Sequence, residues 1–97
     1  LFLDFSEMTA TLAGNRIIFT PTEYRMLKVL IKNPHIVLTR QVLLEKLWDI
    51  DGNFVDEHAL TSNISRIRGK IEANGFQYLK TVYGMGYMWI GGVKNER

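Results

Sequence analysis

DEHALTSNISRIRGKIEANG, residues 56–75, places Leu60, Ile64, Ile67 and Ile71 at intervals of four, three and four. In a helix of 3.6 residues per turn that spacing makes a single stripe, so one face is built for burial. From His58 to Lys70 the remaining surface carries Thr61, Ser62, Asn63, Ser65, Arg66, Arg68 and Lys70, without a carboxylate. Asp56 or Glu57 caps the start or sits on the first-turn dipole, and Asn74-Gly75 supplies a left-handed stop. A helix over about 57–73 with a greasy back and a short, cationic front is shaped for the major groove of duplex DNA.

Upstream, WDIDGNFVDE (48–57) reads as an acidic loop following a short helix that Thr39 caps and that runs to about Trp48, with Leu43, Leu44, Leu47 and Trp48 inward. Ile36-Val37-Leu38 reads as a short buried strand or extended link. Before it, TPTE at 20–23 combines a capping threonine, a proline for the first helical position and a glutamate that closes a capping box. That helix runs to about Lys32, where Asn33-Pro34 stops it. LFLDF (1–5), MTATLA (8–13) and RIIFT (16–20) form a small antiparallel sheet, the last two joined by a tight Gly14-Asn15 loop. Downstream, residues 78–83 and 87–90 flank Gly84-Met85-Gly86 as a β-hairpin, and Gly91 to Arg97 reads as a frayed tail.

The 97 residues, 46% hydrophobic, make one small domain. There is no cysteine, hence no disulfide and no cysteine-based zinc site; His35 and His58 stand singly, and no cofactor or metal is expected. No apolar run approaches the ~18 residues of a membrane span, which points to a soluble protein, and the absence of cysteine fits a reducing cytoplasm. Net charge is +2, but residues 1–57 hold six Lys/Arg against eight Asp/Glu, whereas 58–97 hold six against two. Positive charge gathers in the half with the key helix, as a nucleic-acid partner requires. Gly84-Met85-Gly86 lacks the following helix of a phosphate-binding loop, and no Ser/His/Asp set or carboxylate pair is spaced to converge. The protein is not expected to be an enzyme.

TPTEYRMLKVLIKNP, LTRQVLLEKLW, VDEHALTSNISRIRGKIE and TVYGMGY, in that order, resemble the winged-helix output domain of OmpR/PhoB-type two-component response regulators across nearly the whole chain. The resemblance implies an α+β winged helix-turn-helix: an N-terminal antiparallel sheet, three helices and a C-terminal hairpin wing. It further implies a receiver domain upstream of Leu1, homodimerisation through that receiver, a cognate sensor histidine kinase, and binding of double-stranded DNA at direct repeats. The third helix would lie in the major groove and the wing, about 78–90, at the minor groove. Carried over by position, the DNA contacts fall on His58, Ala59, Ser62, Ser65, Arg66 and Arg68, on Thr81, Tyr83 and Gly84 of the wing, and on Trp48. A loop touching RNA polymerase would hold Asp49, Asp51 and Asn53, residues that a plain solvated turn also shows. Ser65, Gly69 and Tyr83 stand where many relatives place cations. Rival readings are a winged-helix module for protein partners and the output domain of a membrane-anchored regulator.

Arg66 is the candidate for reading a base, because a guanidinium bonds both acceptors of guanine. A phosphate contact or an ion pair with Glu72 is the plainer alternative. Arg68 and Lys80 suit phosphate, Lys80 equally a solvated strand position. Trp89 is assigned to the core.

Overall fold

The computed structural model describes residues 1–4, 9–51, 56–72 and 75–94, of which 2, 48–51 and 92–94 are described by backbone alone. Strands β1 (Phe2–Asp4), β2 (Thr9–Leu12) and β3 (Asn15–Ile17) precede helix α1 (Pro21–Lys32). Then come β4 (Leu38–Thr39), α2 (Arg40–Asp51), α3 (Glu57–Ile71), β5 (Phe76–Val82) and β6 (Gly86–Lys94). Two antiparallel sheets result, ordered β1-β2-β3 and β4-β6-β5, with α1 between them in sequence and α2 and α3 inserted between β4 and β5.

The capping box of α1 is present in full. Thr20 Oγ1 accepts from the Glu23 N–H at 3.2 Å, and Glu23 Oε1 accepts from the Thr20 N–H at 2.8 Å. Thr39 Oγ1 accepts from the Val42 N–H at 3.1 Å and so starts α2. Asp56 caps α3 through the Ala59 N–H at 2.7 Å. Each cap satisfies an amide that the first turn would otherwise leave unpaired, worth about 1 kcal/mol.

The core is common to the three helices and the second sheet. Met26, Leu27 and Leu30 of α1, Leu43 and Leu47 of α2, and Leu60, Ile64, Ile67 and Ile71 of α3 are buried with Leu79 and Trp89 of the sheet. The predicted α3 ridge faces inward along its whole length, and full burial of each such side chain stabilises by roughly 1.5–3 kcal/mol. Trp89 stacks on Tyr78 with ring centroids 5.6 Å apart. The first sheet is tied to α1 by Tyr24, whose hydroxyl proton is shared between the carbonyls of Asp4 (2.7 Å) and Thr9 (2.8 Å).

Several boundaries differ from the sequence reading. Helix α2 continues past Trp48 to Asp51, because no helix breaker occurs before Gly52; residues 52–55 lie outside the described set. Asp49 and Asp51 therefore belong to the last turn of a helix rather than to a loop. Strand β6 runs through Gly91 to Lys94, pairing Gln77 with Val93 and Phe76 with Lys94, so this part of the tail is sheet and not frayed. The register slips between Gln77 and Leu79, opposite Gly91 with its φ of +78°, which lets the strand continue after the irregularity. The hairpin joining β2 to β3 turns at Ala13 and Gly14, both at positive φ (51° and 82°), one residue earlier than expected. Ile36 is exposed and β4 starts only at Leu38.

Candidate nucleic-acid interface

On α3, the faces away from the ridge divide into a part spent on the protein and a part left to solvent. Asn63 is buried and donates to the Ala59 carbonyl at 2.8 Å, a backbone-directed amide rather than a surface group. Lys70 is drawn toward the start of α1, where Nζ donates to Glu23 Oε1 at 2.6 Å and to the Ile18 carbonyl at 2.9 Å and stands 5.4 Å from the Phe19 ring. Arg68 is half-buried; its Nη2 donates to the Leu79 carbonyl at 3.1 Å, with the guanidinium 6.0 Å from the Tyr87 ring. Arg66 and Ser65 are exposed and Ser62 half-exposed. Arg66 makes no side-chain hydrogen bond or ion pair among the described residues. Glu72 Oε2 instead accepts from the Tyr78 and Leu79 N–H groups at 2.8 and 2.9 Å, inside β5 where its pairing with β6 is irregular.

Arg40, the first residue of α2, binds two elements at once. Nη1 donates to the Tyr87 hydroxyl at 3.0 Å, while Nη2 reaches the Glu57 carbonyl (3.2 Å) and Thr61 Oγ1 (2.8 Å) in the first turns of α3. The wing is thereby fastened to α3. At the turn between β5 and β6 the Met85 N–H donates to the Val82 carbonyl at 3.0 Å, and the Met85 carbonyl accepts from the Arg40 N–H at 3.3 Å. Gly84 takes φ +75°, which favours glycine, and Gly86 packs so tightly on β4 that a Cβ there would stand 2.0 Å from the Leu38 carbonyl oxygen. A shallow cleft lies at the wing turn, lined by Arg40 at the start of α2 and by Thr81, Tyr83, Gly84, Met85 and Tyr87 of the wing.

The family model for the C-terminal domain of transcriptional regulatory proteins matches residues 14–89. The chain belongs to that family. The regulator domain is 34% identical over 91 residues to the transcriptional regulatory protein BaeR of Escherichia coli, covering 92% of this chain and 38% of BaeR. Its fold superposes on response regulator DrrB of Thermotoga maritima, an OmpR/PhoB homologue, with a TM-score of 0.79 at 36% identity, covering 92% of this chain and 41% of that one. It also superposes on the DNA-binding domain of response regulator AdeR, solved in complex with an intercistronic region, with a TM-score of 0.73 at 29% identity and coverage of 98% and 94%. The chain thus spans little more than a third of the length of BaeR. The winged-helix fold and the resemblance to OmpR/PhoB regulators both hold.

Within the regulator domain, the residues singled out from sequence fall into three groups. His58, Ser62, Ser65 and Arg66 on α3, with Lys80, Thr81, Tyr83 and Gly84 on the wing, are wholly or partly exposed. Ala59 packs partly against the core, and Arg68 braces helix against strand. The side chains of Trp48, Asp49 and Asp51, and the whole of Asn53, lie outside the described set. Arg40 and Met85 were missed: the partners of Arg40 are 17, 21 and 47 positions away, and no local spacing signals them. Among the described residues there is no cluster able to hold a metal ion and no helix long and apolar enough to cross a membrane.

Proposed function

We propose that this domain binds duplex DNA as the output module of a two-component response regulator and so switches transcription. One observation carries the reading: α3 buries its entire apolar ridge and turns Ser62, Ser65 and Arg66 outward, beside a wing that Arg40 holds to it. Short side chains let the helix approach base edges closely, and Arg66 is free to reach guanine O6 and N7. The wing lies at the adjacent minor groove, with Lys80, Thr81 and Gly84 meeting sugar and phosphate. Upstream, a receiver domain accepts phosphate from a sensor histidine kinase in the cytoplasm and pairs two copies on a direct repeat. The end of α2 and the segment after it, with Asp49, Asp51 and Asn53, meet RNA polymerase.

Two of the cations on α3 are engaged within the protein, so few remain for phosphate. Since log K falls with log salt by about 0.9 per phosphate contact, the single domain has a shallow salt slope and weak affinity, and depends on pairing. A mobility shift on random duplex at 50 and 200 mM salt tests this. Weakening with salt is expected; binding indifferent to salt contradicts the DNA reading, and nanomolar affinity of the monomer at physiological salt contradicts the dependence on pairing.

A further inference from the structure

The wing turn presents two large apolar side chains to water on an immobilised backbone. Tyr83 is 93% exposed and Met85 54%, in a molecule whose other wing aromatics, Tyr78, Tyr87 and Trp89, are buried. Around them the backbone is fixed at three points: the Val82 carbonyl with the Met85 N–H, the Met85 carbonyl with the Arg40 N–H, and Gly86 wedged against Leu38 and Thr39. Residues 83–85 carry no cation. Of the neighbouring cations, Arg40 is engaged by Tyr87, Glu57 and Thr61, and Lys80 lies back along β5, opposite Met88.

A turn of this kind does not suit attraction to the negative potential of a narrow groove, which needs a cation at the tip. It suits insertion, because a rigid backbone forfeits little entropy on binding and an apolar side chain gains by leaving water. Two side chains fall far short of the roughly 800 Å² per partner that a stable protein interface buries. They also adjoin the α3 surface through Arg40, continuous with the interface already described. We infer that Tyr83 and Met85 form a wedge that enters a minor-groove base step and selects it by deformability, so that flexible pyrimidine–purine steps are preferred under the wing. This rests on the DNA-binding reading above.

The test uses duplexes selected from a random pool by the protein itself, with donor and acceptor dyes at their ends to report bending. Tyr83→Ala combined with Met85→Ala is expected to weaken binding about tenfold or more, to leave the slope of log K against log salt unchanged, and to reduce the bend. Tyr83→Phe is expected to keep both affinity and bend. Moving a TA step out from under the wing is expected to weaken the wild type and not the double variant. Unchanged affinity and bend in the double variant, or a loss in Tyr83→Phe, overturns the wedge, the latter in favour of a hydroxyl contact to phosphate or sugar. If the wild type enriches no duplex, the DNA-binding reading falls and the wedge with it; if it enriches duplexes and only Arg66→Ala weakens binding, the wedge alone falls.

Discussion

Arg66 and Gly86 are the residues at which one atom carries most weight. With no partner among the described residues, Arg66 keeps its whole guanidinium for a ligand, and Arg66→Ala is expected to cost about 1–3 kcal/mol and to relax preference at a single guanine. Quantitative binding to duplexes varied one position at a time checks this; an equal loss on every sequence makes Arg66 a phosphate anchor. Gly86 tolerates no side chain, since the added carbon would meet the Leu38 carbonyl and the Thr39 Cα. Gly86→Ala must push β4 off β6 and is expected to destabilise by about 1–3 kcal/mol or more in thermal unfolding. Gly84→Ala meets no atom within 4 Å and is strained only by its φ, at about 1–2 kcal/mol. A larger loss at Gly84 than at Gly86 would contradict the close-approach account.

At the scale of elements, α3 is held from both ends of its exposed side. Arg40 secures its first turns, and Lys70 secures its last turn to Glu23, a buried carboxylate that also closes the cap of α1. Lys70→Met leaves that carboxylate without its cation and is expected to lower stability by about 1–3 kcal/mol, less than for a fully buried pair because Lys70 keeps partial exposure. Urea unfolding beside Lys80→Met, expected to be near neutral, measures the difference. The apolar ridge, the capping box and the hairpin were legible in the sequence because each depends on neighbours within four residues or on strict periodicity. The fates of Lys70, Arg68 and Arg40 were not, because their partners come from other elements, 47 residues away for Lys70 and Glu23. A cationic face read from spacing alone therefore overstated the charge offered to solvent: of Arg66, Arg68 and Lys70, only the first points fully outward.

For the molecule as a whole, Tyr24 couples the first sheet to the helical core and makes that coupling sensitive to alkali. Burial, reinforced by the charge of Asp4, raises its pKa above 10.0. The neutral phenol donates to backbone carbonyls, whereas a phenolate would face their oxygens. A folded pKa above the unfolded one gives stability that is complete below pH 10.0 and is lost as pH rises through the folded value. Alkaline unfolding is therefore expected to steepen above pH 10.0 in the wild type and less in Tyr24→Phe, which begins less stable; parallel curves would exclude Tyr24 as the cause. The guanidinium of Arg40, shared by α3 and the wing, has a geometric outcome at the same scale. It makes the two parts proposed to face DNA the fixed jaws of a caliper, so that, on that reading, the distance from the bases under α3 to the step under the wing is set by the protein. Each inserted base pair moves those points apart by about 3.4 Å, so a binding site lengthened by one pair between them must disengage one jaw or distort the duplex.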